Sequence, residues 1–176
     1  MSKSLFLIIL MTSYSIHSAE MIVGEEKMEP GIDLVFEAAP KDIVHPKEYF
    51  RAESNTDIHI EMLANWSEDS PNGSPVGGFV AYLNVFVKIK TESGTEVQVQ
   101  LTPHLNMSDS LHYAQNIKLP GEIDELYDVT FTISPPIKDE LGIHYDWNKL
   151  FGPLMEKSVF TYKNLNFEQI ALSSRR

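Results

Sequence analysis

Between residues 56 and 63 the chain reads T-D-I-H-I-E-M-L, and polar and apolar positions alternate strictly. A period of two is the mark of a half-buried β-strand. Ile58, Ile60 and Met62 therefore face a core, while Asp57, His59 and Glu61 face the other way. The same period recurs at 96–101 (E-V-Q-V-Q-L) and at 127–134 (Y-D-V-T-F-T-I-S). Segment 79–90, F-V-A-Y-L-N-V-F-V-K-I-K, is apolar enough for a long central strand, and Glu92-Ser93-Gly94 turns it into a hairpin with 96–101. Shorter runs at 20–29, 32–36, 112–119 and 158–163 read as further strands. From 38 to 55 the alternation breaks around Pro40 and Pro46, which predicts a surface loop with one short turn near 47–51. Residues 137–156 are irregular, and the tail after 163 has no clear pattern. Seven or eight short strands between turn signals, without a long helix, predict an all-β chain built as an immunoglobulin-like antiparallel β-sandwich.

The N-terminus departs from this pattern. Lys3 precedes the apolar run 5–11, and small and polar residues follow up to Ser18-Ala19. That order predicts a cleaved secretory signal at 1–19, and the run is too short to span a membrane. The remaining residues, 20–176, have the length of one domain. The mature chain is accordingly expected to be exported and not membrane-embedded. No cysteine occurs, which excludes disulfides, thiolate metal sites and cysteine nucleophiles. Loss of Lys3 with the signal takes the net charge from −11 to about −12. Such an acidic chain disfavours nucleic acid and anionic lipid as partners.

Candidate chemistry concentrates at 101–116, L-T-P-H-L-N-M-S-D-S-L-H-Y-A-Q-N. His104 and His112 bracket Met107 and Asp109 there, in what reads as a loop between two strands. Imidazole, thioether and carboxylate groups together can serve a range of metal ions. His59, on the polar face of its strand, shares that face with Glu61, about 7 Å away along the backbone. His144 lies in a late glycine-containing loop. A metal site drawing on His59, His104, His112 and His144 follows as the working expectation. Spacing alone does not establish it, because no compact motif such as H-E-x-x-H is present. A lone strand histidine is more often solvated than coordinated. The sequon at Asn106 falls inside the proposed loop and weighs against its use as a site. A Ser/His/Asp triad from Ser108 or Ser110, His112 and Asp109 is rejected, since such close neighbours do not reach triad geometry. Nucleotide, dinucleotide and G-x-S-x-G signatures are absent.

Five stretches, in order, carry a resemblance: M-E-P-G-I-D-L (28–34), D-I-H-I-E (57–61), S-P-N-G (70–73), T-P-H…D-S-L-H-Y-A-Q-N-I (102–117) and G-I-H (142–144). They resemble the periplasmic ferrous-iron-transport-associated proteins, copper- and iron-binding β-sandwich proteins that accompany inner-membrane iron permeases. The resemblance spans about residues 20–163. It implies a homodimer, a copper site of three histidines and one methionine, and an adjacent acidic site for iron or manganese. By position it implies His59, His112 and His144 as the histidines, with Glu61 and Asp109 as carboxylates. Glu20 or Glu25 would supply an acid near the mature N-terminus. The chain departs from the family at the methionine, because His104 stands directly after the proline and Met107 lies inside a loop one residue longer. Either His104 makes a four-nitrogen site suited to Cu(II) or Zn(II), or Met107 swings in and improves the hold on Cu(I). The insertion at 38–55 is also longer than the family pattern.

Three functions compete. The leading one is an exported metal-binding accessory that assists iron uptake through an inner-membrane permease, with copper as bound cofactor. The second is an enzyme proper, a copper oxidase or dismutase-like protein. The third is an adhesin or scaffold in which the histidines are incidental.

Overall fold

Strand pairing follows the alternation. The computed structural model describes residues 20–71 and 73–175, so the expected signal at 1–19 lies outside the described residues. Eight strands succeed one another: β1 (Met21–Met28), β2 (Ile32–Pro40), β3 (Ile58–Trp66), β4 (Asn84–Thr91), β5 (Glu96–Leu105), β6 (Leu111–Ile117), β7 (Leu126–Ser134) and β8 (Ser158–Asn166). Two short helices, α1 (Tyr145–Phe151) and α2 (Glu168–Leu172), complete the chain. Every pairing is antiparallel, in the spatial order β1-β2-β3-β6-β5-β4-β7-β8. The fold is all-β, as the sequence predicts.

β5 joins the two leaves of this sheet. Its first half pairs with β4, from Glu96↔Lys90 to Leu101↔Val85, and its second half pairs with β6, from Thr102↔Ala114 to Leu105↔Leu111. The sheet therefore folds back on itself into a nearly barrel-like shape. Phe36 of β2 meets Phe131 of β7 with ring centroids 4.3 Å apart, and Phe160 and Tyr162 of β8 pack beside them. The inward positions of β3, Ile58, Ile60 and Met62, are fully buried in this core. At the open side, β1 approaches β8 closely. A Cβ on Gly24 would sit 2.3 Å from the Tyr162 ring, so any larger residue there must displace that ring.

Three local expectations are corrected. The strand predicted over 79–90 begins only at Asn84. Tyr82 has a φ of 66°, which breaks the extended run, and the apolar residues before it are buried as a loop. Tyr113 pins that loop: its hydroxyl donates to the Val80 carbonyl (2.8 Å) and accepts from the Leu83 amide (2.9 Å). The loop expected to hold His104 and His112 shrinks to 106–110, because β5 runs to Leu105 and β6 starts at Leu111. Both histidines are strand residues. The irregular passage at 137–156 contains α1, whose Trp147 packs edge-on against Trp66 at 5.9 Å.

The segment after β2 folds over the outer face of β3, β6 and β5. Asn116 ties it down, its Nδ2 donating to the carbonyls of Asp42 (2.8 Å) and Arg51 (2.9 Å). The C-terminal tail closes the same face. Phe167, Ile170 and Ala171 are buried in the hydrophobic core, and Arg175 beyond them reaches Glu61. Among the described residues no helix is long and apolar enough to cross a membrane.

Candidate metal centre

Cross-strand register, more than sequence proximity, assembles this site. His59 pairs with Asn116, Glu61 with Ala114, and His104 with His112. On the other side of β3, Glu37 pairs with Glu61 and Ala39 with His59. Directly paired residues share one face of a sheet. Small neighbours at Ala39 and Ala114 leave room for the longer side chains between them. An outer face of this kind is ordinarily solvated. Here the covering segments bury it: His59 is 3% exposed, His112 1%, His104 8% and Glu61 0%. Phe50 from the insertion stands edge-on to the His104 ring at 5.0 Å. The cavity of about 350 Å³ beneath it is lined by His59, His104, His112 and Arg175.

One ligating nitrogen from each of His59, His104 and His112 lies within 4.8 Å of the others. Hydrogen bonds set the tautomers of two of them. Asn116 spends its amide hydrogens on the two backbone carbonyls, so its Oδ1 accepts from His59 Nδ1 at 2.8 Å. His112 Nδ1 likewise donates to the Ser110 carbonyl at 3.1 Å. Both rings therefore keep the Nε2 lone pair free, and both Nε2 atoms face Glu61, at 3.7 Å and 3.9 Å. Anchoring the far nitrogen in this way orients an imidazole for metal binding.

The electrostatics point the same way. Burial pushes His59 down to about 3, and burial together with the neighbouring His112 pushes His104 down to about 4. His112 is also lowered, chiefly by burial. Near neutral pH all three are uncharged, the form in which imidazole binds a metal. Burial raises Glu61 to about 7, against the pull of Arg175, whose Nη2 lies 2.5 Å from Glu61 Oε1. Glu61 Oε2 is buried and has no hydrogen-bond partner among the described residues. An orphaned buried carboxylate oxygen beside three neutral imidazoles is a costly arrangement for a structural core and an apt one for a cation. This donor set fits copper.

A second cluster lies alongside. Carboxylate oxygens of Glu20, Glu37 and Asp109 come within 4.8 Å of one another. The 106–110 loop holds Asp109 in place. Asn106 Nδ2 donates to Asp109 Oδ2 at 2.5 Å, while Asn106 Oδ1 accepts from the Asp109 amide at 2.6 Å.

The structure thus brings His59, His104, His112 and Glu61 together and sets Asp109 beside them. Met107 is fully exposed at the tip of its loop. His144 is exposed at the N-cap of α1. The nearby Trp147 rests on Trp66, which is seven residues, or about 23 Å, along β3 from His59. His144 therefore stands at the opposite end of the strand from the imidazole trio of its own chain. Sequence reasoning missed Glu37, Arg175 and the cover over His104. Glu37 was within reach, since Leu34 and Phe36 point inward and Asp33, Val35 and Glu37 alternate with them. No pattern in the tail announces Arg175.

Fold and site together define an all-β protein with a buried nitrogen-donor centre and a carboxylate cluster at its flank. The sequence profile of the Fe2+ transport protein family matches residues 17–169, and the chain belongs to that family. A UPF0423 protein of Brucella abortus (strain 2308) is 24% identical over 157 residues, covering 88% of this chain and 85% of that one. A copper-bound variant of Campylobacter jejuni P19 superposes with a TM-score of 0.71 at 27% identity, covering 83% of this chain and 96% of that chain. FetP of uropathogenic Escherichia coli strain F11 shares the fold, with a TM-score of 0.69 at 22% identity over 83% of this chain and 95% of its own.

Proposed function

We propose that this chain is an exported copper- and iron-binding protein that assists high-affinity iron uptake through an inner-membrane permease, acting in the periplasm. The observation that carries the reading is the trio His59, His104 and His112, buried, uncharged and converging within 4.8 Å. Family membership supports the link to iron transport, and the copper-bound P19 neighbours support copper. His59, His104 and His112 would hold the copper, which supplies a one-electron couple. Glu61 Oε2, 3.9 Å from His112 Nε2 and without a hydrogen-bond partner among the described residues, would offer an oxygen donor beside them. With Met107 in solvent, His104 takes the place of the thioether, and an imidazole set favours Cu(II) over Cu(I). Iron or manganese would occupy the acidic site that includes Asp109. His144 can join the copper site only from a second copy of the chain, which supports a homodimer.

Copper content after equilibration with Cu(II) tests this reading. One copper per chain is expected, lost in His112→Ala and weakened in His104→Ala. If the unaltered protein holds no copper above the background of an acidic surface, the metal-binding reading fails and the scaffold reading replaces it.

A further inference from the structure

The C-terminal tail places a positive charge in the cavity of the imidazole trio. Residues 170–175 lie beyond the stretch matched by the family profile, which ends at 169. Past α2 the chain is neither helix nor strand, yet the Arg175 side chain is only 14% exposed and lines the same cavity as His59, His104 and His112. Its Nη2 lies 2.5 Å from Glu61 Oε1, and its Nη1 lies 3.6 Å from Asp42 Oδ2 on the insertion. Its Nε is buried and has no hydrogen-bond partner among the described residues.

These contacts set the guanidinium against the nitrogen donors. Glu61 Oε1, the oxygen that Arg175 holds, is itself 3.7 Å from His59 Nε2, and Glu61 Oε2 is 3.9 Å from His112 Nε2. One buried carboxylate therefore faces Arg175 and two metal-binding nitrogens at once. With the imidazoles uncharged, Arg175 is the counter-charge that Glu61 has in contact, and a buried carboxylate without one is costly. A divalent cation on the trio would serve the same carboxylate. Two cations sharing one buried anion repel strongly, because charge is weakly screened there. Arg175 is the partner able to yield. Phe167, Ile170 and Ala171 anchor α2 in the core without it, and segment 173–175 is irregular.

We propose that Arg175 is an internal stand-in for the metal, holding Glu61 until a divalent cation binds the imidazole trio and then giving it up. The proposal rests on the copper-binding reading above and adds a residue that lowers the affinity of that site. Loaded and empty protein then present different C-terminal tails.

The test exposes the protein, metal-free or loaded with one equivalent of Cu(II), to carboxypeptidase B, which requires a free C-terminal basic side chain. Mass spectrometry counts the arginines removed. Metal-free protein should lose Arg176 and keep Arg175, whereas loaded protein should lose both. In parallel, Cu(II) affinity measured against a competing chelator should rise at least about tenfold in Arg175→Gln, because the opposing charge is gone. It should rise less in Arg175→Lys, which keeps the charge. A merely structural role for Arg175 would lower the affinity instead. Arg175 retained in both states, Arg175 removed equally fast in both, or an unchanged or lower affinity in Arg175→Gln overturns the proposal, and one copper per chain in the unaltered protein still upholds the copper reading. Absence of copper from both the unaltered protein and Arg175→Gln sinks the two together.

Discussion

His104 and His112 face each other directly across the β5–β6 ladder, with ring centroids 6.1 Å apart. Eight positions apart in the chain, they become nearest neighbours because the hairpin closes through only five residues, 106–110. That closure also throws Met107 outward, since the loop tip has no strand to return its side chain to the sheet. Met107→Ala should therefore leave copper stoichiometry unchanged and alter stability by no more than about 0.5 kcal/mol. Copper analysis and urea denaturation would show it. A loss of copper in this variant would mean that the loop rearranges on binding and restores the thioether ligand.

The placement of His144 predicts complementation between chains. His144→Ala and His112→Ala should each impair copper binding by themselves. When the two variants are mixed and allowed to exchange subunits, the mixed dimer contains one intact site, built from His112 of one chain and His144 of the other. Partial recovery of copper binding on mixing is the expected result. Additive loss without recovery would remove His144 from the site.

Phe50 covers His104 from the insertion. It is only partly buried, so Phe50→Ala should cost about 1–2 kcal/mol, less than a fully buried phenylalanine. Its larger effect should be kinetic. Copper transfer to an external chelator should accelerate several-fold while stoichiometry stays the same. An unchanged transfer rate would show that the insertion does not control access.

Stability of the metal-free protein should pass through a maximum in mildly acidic solution. His59 and His104 are lowered from 6.5 to about 3 and about 4, so the unfolded chain binds more protons between those values and 6.5. Their contribution is complete above about pH 6.5 and is lost as the pH falls toward 4. Glu37 and Glu61 are raised from 4.5 to about 7, so the folded chain binds more protons between 4.5 and 7. Their contribution is complete below about pH 4.5 and disappears as the pH rises through 7. The two slopes oppose each other from about pH 4.5 to 6.5, giving a plateau with a steep fall on the acid side. Thermal melts from pH 4 to 8 would reveal this shape. In Glu37→Gln the decline between pH 6 and 8 should shrink by about 1–2 kcal/mol.

Much of the architecture was readable in the alternation itself. Strict period-two segments such as 56–63 and 127–134 became strands with the expected faces inward, because one face of a strand must leave water and the side-chain period leaves no choice of which. The 79–90 segment misled for a related reason. Burial of Val80 and Leu83 demands apolar residues whether the backbone is extended or looped, and only the Tyr113 hydroxyl shows which. The tail was unreadable because α2 has five residues and is held by packing against the sheet, which propensity does not report.

The site divides along the same line. Identity and facing of His59 and Glu61 followed from local alternation, and the candidacy of His104, His112 and Asp109 from residue chemistry in one stretch. Which of these groups converge, and in what charge state, depended on partners remote in sequence. Glu37 meets Glu61 through strand pairing, Asn116 orients His59 from 57 positions away, and Arg175 reaches Glu61 from 114 positions away. Burial, which makes the imidazoles neutral and the carboxylates reluctant to ionise, comes from an insertion and a tail folded over the sheet. Local pattern encodes which way a side chain points; the company it keeps is a property of the folded chain.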